Sequence, residues 1–290
     1  MASLCTLLGY SRQAFYGFEK RQSQQVLEDE LVVQQVMLHR RLQPKIGTRK
    51  LMVLLQDFIK QHQLSLGRDA LFELLREHQL LVRKRRRKAQ TTFSRHRFKK
   101  YANLVRDYEP LAPNLLWVSD ITYLEVADGF AYLSLITDAY SKKIQGFYLS
   151  KKLDARGSLE ALDMALKEWP HTTQLLHHSD RGVQYCCNDY VNKLSANNIK
   201  ISMTEHGDPL ENAIAERVNG ILKTELLKTS YPCFETASEE VVKAIWVYNS
   251  LRPHSSCDML TPVKAHHKEG RLKKHWKNYY KKKGVEMAGP

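Results

Sequence analysis

The sequence predicts an α/β core, a mixed sheet flanked by helices, preceded by a small all-α region. Three observations carry that expectation. Apolar residues before position 82 recur at helical spacing. Between 115 and 203, strand-like runs rich in β-branched and aromatic residues alternate with helix-periodic segments. Three acids fall within this pattern: Asp120 in one strand-like run, Asp180 at the end of another, and Glu216 in a helical stretch, with 35 residues between the last two.

At the N-terminus, Ser3 to Leu8 and Ser11 to Lys20 read as two short helices parted by Gly9 and Tyr10, with Ser11 as the second N-cap. Leu4, Leu7, Leu8, Phe15 and Phe18 would form a small apolar core. That is the outline of a helix-turn-helix offering Arg12 and Gln13 to a DNA groove, although a helical hairpin that only packs on the rest of the protein fits the same residues. A second helical unit follows, with Leu51, Leu54, Leu55, Phe58 and Ile59 in one helix after Thr48, then Leu71, Leu74 and Leu75 in another. Ala89 to Pro113 reads as linker, since Pro110 and Pro113 break helix before the first core strand.

In the core, Leu115 to Leu124, Phe130 to Thr137 and Lys143 to Ser150 are expected to pair as strands. A helix from about Ala155 to Trp169 presents Leu159, Leu162, Leu166 and Trp169 to them. Leu175 to His178 and Ile199 to Met203 supply further strands, with a helix around Tyr190 to Leu194 between them. The loop Glu205 to Leu210, with Gly207 and Pro209, is expected to be mobile. In the stretch from Asn212 to Leu227, Ile214, Val218, Ile221, Leu222 and Leu226 recur at helical spacing. The chain is thus expected to divide into a helix-turn-helix-like segment (1–30), a second helical unit that is a candidate for DNA binding (31–88), a basic linker (89–113), the α/β core that carries the three acids (114–268) and a basic C-terminal tail (269–290).

Charge distribution points to a polyanion. The 290-residue chain carries a net charge of +14. Residues Arg83 to Lys100 hold ten Lys/Arg and no acid, and Arg271 to Pro290 hold seven against Glu286. Together these exceed the total, so the rest of the chain is slightly acidic and the positive charge is concentrated in two segments. Phe93, His96 and Phe98 interleave the first run and Trp276, Tyr279 and Tyr280 the second, which suits contact with a nucleic-acid backbone. Within the first run, Arg83, Lys84, Arg85, Arg86, Arg87 and Lys88 are candidate DNA contacts.

There is no signal peptide and no apolar run long enough to span a membrane, so a cytoplasmic, nucleoid-associated protein is expected. The five cysteines form no Cys-x-x-Cys pair, which disfavours disulfide and structural-zinc readings. Adjacent His177-His178 and His266-His267 cannot both face one site from a regular strand, so they are read as surface or site-lining residues rather than metal pairs.

Two strand acids and one helix acid can converge on one point, and converging carboxylates suit hard divalent cations in a two-ion phosphoryl-transfer site. Their flanking words add to this: Trp117-Val118-Ser119-Asp120, Gly129-Phe130-Ala131-Tyr132, Asp138-Ala139-Tyr140-Ser141, His178-Ser179-Asp180-Arg181-Gly182, Ala215-Glu216, Leu222-Lys223-Thr224-Glu225 and Tyr248-Asn249 through Arg252-Pro253-His254. In that order and over about 150 residues, the words resemble the second-frame (OrfB) transposases of the IS-three group of bacterial insertion sequences, members of the DDE superfamily with an integrase-type core.

The resemblance implies a ribonuclease-H-like core with Asp120, Asp180 and Glu216 as catalytic metal ligands for two Mg²⁺ ions, which Mn²⁺ can replace. It implies action on double-stranded DNA, cleavage at the element's ends and strand transfer into a target. It also implies a homo-oligomer on DNA, and work as a frameshift fusion with an upstream-frame protein or in partnership with it. Lys223, seven residues after Glu216, would lie two turns along the same helix face and reach DNA, while Arg252 and His254 either support the site or contact DNA. The sequence departs from the family at Glu211, Ser119 and Cys186-Cys187. A metal-dependent nuclease that cuts without joining, and a DNA-binding regulatory product with an inert core, fit the same residues.

Overall fold

The computed structural model describes residues 5, 7, 9–82, 97–106, 108–171, 174–205 and 211–276. They belong to two compact units, Met1–Lys84 and Arg85–Pro290.

Cys5 and Leu7, the described residues of the first expected helix, are helical and the break at Gly9 and Tyr10 follows, so the first unit departs from expectation in the length of its next helix. Helix α1 runs unbroken from Arg12 to Leu42, and its N-cap is the expected Ser11, whose Oγ accepts from the Ala14 amide at 3.1 Å. No proline interrupts these residues and Gly17 is their only glycine, so helix propagates until Pro44 forbids it. The boundary at residue 30 therefore falls inside a helix. Of the expected N-terminal apolar core, Leu7 and Phe18 are exposed and Phe15 is half-buried, while Leu4 and Leu8 lie outside the described residues. Arg12 and Gln13 are exposed in the first turn of α1.

The anticipated second helix is two, α2 (Thr48–Leu54) and α3 (Gln56–Gln61), joined at Leu55, and α4 spans Arg68–Glu77. Val32 and Val36 of α1 pack with Ile46, Leu51, Leu55, Leu71, Leu74 and Leu75 in the core of this unit. Arg83 to Lys88 lie outside the described residues.

In the second unit, β1 (Leu116–Val126), β2 (Gly129–Asp138) and β3 (Ile144–Ser150) form an antiparallel meander, and β4 (Leu176–Ser179) and β5 (Lys200–Met203) extend it in parallel, in the order β3-β2-β1-β4-β5. A short β6 (Ser230–Tyr231) pairs with the far end of β1. The parallel strands are joined by crossovers containing helices, as such pairs require: α5 (Ala155–Glu168) before β4, then α6 (Val183–Cys186) and α7 (Asn188–Ala196) before β5.

Alternation sorts the two faces. Ala131, Leu133 and Leu135 of β2 pack with α8 (Ala213–Ile221) and α9 (Phe234–Ser250), while Ile136 packs with Trp117, Ala161, Leu162 and Tyr190 on the face of α5 and α7. Gly146 of β3 admits α5 at close range: a Cβ there would collide with the backbone oxygen of Ala161 and reach the Ala165 amide at 2.9 Å. A short α10 (Pro262–Ala265) follows.

The linker and tail boundaries also shift. Edge strand β5 offers unpaired backbone groups, and part of the expected linker occupies them: the Met203 amide donates to Ala102 O at 3.3 Å, and the Leu104 amide donates to Ser202 Oγ at 2.9 Å. Tyr101 and Val105 pack into the core. At the other end, the Gly270 amide donates to Leu111 O at 2.7 Å, the Asp258 amide donates to Lys273 O at 3.0 Å, and Lys274 pairs with Glu109 at 2.7 Å. The first residues of the expected tail thus belong to the core. Tyr279 and Tyr280 lie outside the described residues, as do 206–210 of the expected mobile loop. No described helix is long and apolar enough to cross a membrane.

Candidate active site

Strand register places the first two acids. Strands β1 and β4 pair Leu116 with Leu176, Trp117 with His177 and Val118 with His178. Continued two residues, that register sets Asp120 beside Asp180 on the same face, where the parallel strands end. At the C-terminal edge of parallel strands, side chains stand at the rim of the sheet, the usual place for sites in α/β folds.

Asp120 is held from two sides. The Asn219 side chain donates to Oδ2 at 2.7 Å, and the Ile121 amide donates to Oδ1 at 2.9 Å. Its pKa is nevertheless pushed up to about 7, first by burial, next by the charge of Asp180, and least by Glu216, with the two hydrogen bonds opposing. Two carboxylates side by side without a cation disfavour their own double ionisation. Their hard oxygen donors and unbalanced negative charge fit a divalent ion, and Asp120 and Asp180 are the residues that would hold it.

Asp180 depends on the backbone after it. The Gly182 amide donates to its Oδ1 at 2.9 Å, and a Cβ on Gly182 would meet that oxygen at 2.9 Å and Gln184 Oε1 at 3.1 Å. Arg181 Nη1 donates to Glu205 O at 3.0 Å, and the Glu205 amide donates to Glu211 Oε2 at 2.6 Å, so both ends of the 206–210 segment are tied to the site's border.

Glu216 sits in the first turn of α8, exposed. Asn212, its N-cap residue, is buried, and its Nδ2 donates to Ser119 O at 3.0 Å, hooking the start of α8 onto β1 next to Asp120. The departure at Glu211 leaves this hook intact. Even so, no group of three or more His, Cys, Asp or Glu among the described residues is disposed to hold a metal ion. The charges of both Asp180 and Glu216 nevertheless raise the pKa of Asp120, so the three acids share one neighbourhood.

After Ile221 the helix becomes a π-helical turn, Leu222–Leu226. Lys223 lies in this wider turn. Its ammonium donates to Thr122 Oγ1 at 3.1 Å and lies 4.1 Å from the centroid of the Tyr123 ring, two and three residues beyond Asp120 on β1. Burial lowers its pKa, opposed by Glu125 and Asp120.

Arg252 and His254 resolve towards structure rather than DNA. Arg252 is 2% exposed and grips Glu225 of the π turn with two 2.8 Å hydrogen bonds. His254 is buried against Tyr248. Neither side chain is exposed at the surface.

The paired histidines are fully buried rather than surface residues. His177 Nε2 lies 2.7 Å from Ser119 Oγ and 3.0 Å from Tyr190 OH, and burial pushes its pKa down to about 3. His178 bridges Ser202 Oγ at 2.8 Å and Glu211 O at 3.0 Å, its pKa lowered to about 4, mainly by burial. Both are neutral struts behind the acids. His266 is likewise a polar packing residue, 2.9 Å from Ser141 Oγ, which donates to the buried Asp138.

Sequence reading missed Asn219 and the anchoring role of Asn212. The available signal was spacing: Asn219 follows Glu216 by three residues, one turn along the same helix face.

The chain is similar to known proteins over most of its length. Residues 110–209 match one integrase core domain family and residues 197–262 a second of the same description. An uncharacterised 31 kDa protein of insertion element IS600 from Shigella sonnei is 32% identical over 90% of this chain and 96% of its own length. Transposase InsF of insertion sequence IS3A from Escherichia coli is 30% identical over 67% of this chain and 68% of its own. A putative transposase of IS986/IS6110 from Mycobacterium tuberculosis is 35% identical over 56% and 61%. Among solved structures, the HTLV-2 integrase catalytic core domain in complex with magnesium is similar over 55% of this chain and all of its own, with 21% identity and a TM-score of 0.44.

Proposed function

Because the chain belongs to the integrase-core transposases of the IS3 group, DDE-type polynucleotidyl transferases, we propose that it cleaves double-stranded DNA at the ends of its insertion sequence and joins the freed 3′ ends to target DNA. The observation that supports this reading is the register of β1 and β4, which continued by two residues would set Asp120 level with Asp180, whose charge raises the Asp120 pKa.

Two Mg²⁺ ions, or Mn²⁺ in their place, would supply activation of the attacking oxygen and stabilisation of the leaving one in an in-line displacement. Asp120 and Asp180 would hold them, and Glu216 would join from α8 when the ions and DNA are in place. Asn219 orients the Asp120 carboxylate so that one oxygen stays committed to the protein. Burial and the charge of Asp180 favour the protonated Asp120 carboxyl, so taking up a cation there would displace a proton. Lys223 can turn from Thr122 towards a DNA phosphate, and the half-buried position that lowers its pKa also strengthens such a contact. His177 stays neutral and supports β1 and β4 without proton transfer. Exposed Arg12 and Gln13 and the basic segment Arg83 to Lys88 are the proposed contacts outside the catalytic core, through which the chain would bind DNA as an oligomer.

The test is joining of a labelled duplex carrying the element's own 3′-hydroxyl end to plasmid, in Mg²⁺ and in Mn²⁺, with Asp120→Asn and Glu216→Gln beside the wild-type chain. Metal-dependent joining lost in both variants supports the proposal. Cutting without joining would point to a nuclease, and binding without either reaction to a regulatory product.

A further inference from the structure

Helix α1 buries one side and leaves another uncovered. Val32 and Val36, which pack inward, are 2% and 0% exposed. Leu27, Leu31, Leu38 and Leu42 are 58%, 43%, 49% and 54% exposed. At 100° per residue these four leucines fall within an arc of about 60°, well away from the buried side, and form a stripe about 22 Å long.

The spacing within the stripe is symmetric. Steps of four, seven and four residues read the same from either end, so a second copy laid antiparallel places Leu27 against Leu42 and Leu31 against Leu38. The centre of that pairing falls between Gln34 and Gln35, which gives the seam one polar crossing point of the kind that fixes register. Charge follows the same symmetry. Exposed Glu30 and Arg41 lie on the same flank of the stripe, and in an antiparallel pair like flanks face each other. Glu30 of one copy then comes level, to within about 3 Å along the axis, with Arg41 of the other, and the dyad repeats the contact. We infer that α1 is the seam of an antiparallel dimer of this chain, with Leu27, Leu31, Leu38 and Leu42 as its apolar face and Glu30 and Arg41 as its paired charges. The inference is independent of the catalytic reading, since it rests on the first unit alone.

The experiment is the molar mass of the full-length chain by light scattering and sedimentation across concentration, for the wild type, Leu31→Glu/Leu38→Glu, Glu30→Arg, Arg41→Glu, and a mixture of the last two. A wild-type dimer is expected, with association weakened more than a hundredfold by the leucine pair and about tenfold by either charge reversal. The substituted residues are exposed, so helical circular dichroism should not change. The mixture is the sharpest arm. In a mixed dimer one contact joins the introduced arginine to the introduced glutamate, and the other keeps the native Glu30 and Arg41. Opposite charges therefore meet in both, so the two variants should associate with each other as tightly as the wild type does with itself. A monomeric wild type, in which the stripe is covered within the chain or waits for another partner, overturns the inference. So does a dimer that survives the leucine substitutions. A mixture no tighter than its components overturns the antiparallel register.

Discussion

The two strand-borne acids and the helix-borne acid are positioned by different kinds of force. Asp120 and Asp180 are level because a parallel ladder fixes their register, and a slip by one residue would turn every buried side chain of a strand outward. Glu216 depends on where α8 begins and how it leans, which is set by the hydrogen bonds from Asn212 to Ser119 and from Asn219 to Asp120 and by the packing of Ala215, Val218 and Ile221. The strand acids are therefore positioned by the sheet, while the helix acid is positioned by how α8 packs on it. In the proposed reaction the two acids that repel each other are fixed by one ladder, and the third is carried by a separate element.

The largest expected effect comes from the strand half. Asp120→Asn should lower the joining rate by a factor on the order of 10³ or more while leaving duplex binding within about twofold, read by gel shift and by product formation. The same substitution should stabilise the fold at high pH. The folded pKa of Asp120, about 7, lies above its ordinary 3.8, so the unfolded chain ionises first and native stability falls as pH rises between these values. Asn removes that loss, raising stability by on the order of a few kcal/mol at pH 8 and by little at pH 4. Thermal melts in chelator at both pH values check this, and equal shifts at the two would contradict the burial argument.

The next effect belongs to the helical half and is one of stability. Arg252→Ala leaves the Glu225 carboxylate without its two-bonded partner beside the π turn, and should destabilise the core by about 3–5 kcal/mol, measured by urea unfolding. Because Arg252 is enclosed, residual folded protein at low temperature should bind DNA with the wild-type salt dependence. A flatter slope would restore Arg252 as a phosphate contact.

Asn212→Ala separates the two halves most directly. It removes the tie at the start of α8 and leaves the one from Asn219 to Asp120, so joining should fall about 10- to 100-fold, the range seen when a supporting contact behind a ligand is lost. The pH dependence of stability contributed by Asp120 and Asp180 should persist. If both change together, the halves are not independent and the comparison fails.

How legible each half was follows from the same physics. Strands β1 to β5 were readable because β-branched and aromatic runs leave little choice of conformation, and the alternation of Ala131, Leu133 and Leu135 assigned a face. The extent of α1 was not readable from its apolar pattern, because its leucines face outward and blur the period. The π turn was invisible: Leu222, Lys223 and Leu226 satisfy an α-helical pattern equally well, and only packing of Glu225 against Arg252 distinguishes the two. Burial of His177, His178 and Arg252 was likewise a property of the assembled sheet and helices, since polar side chains are read as exposed until their partners are known.

Gly182 offers the mildest way to probe the strand half. Its amide holds the Asp180 carboxylate at 2.9 Å, and its missing side chain leaves room for that carboxylate and for Gln184. Gly182→Ala adds a methyl group whose nearest neighbours are the ends of two side chains rather than backbone. The φ of Gly182 is −64°, which alanine adopts without strain. Stability should therefore change by less than about 1 kcal/mol. The carboxylate must move by a few tenths of an ångström, and positional errors of that order at a reacting centre lower rates about tenfold. Divalent-ion titration followed by thermal shift, beside the joining rate, distinguishes the outcomes: weaker ion binding with unchanged chelated stability means that Asp180 has been displaced. A loss of joining with ion binding intact would move the importance of Gly182 from the acid it supports to the DNA that passes over it.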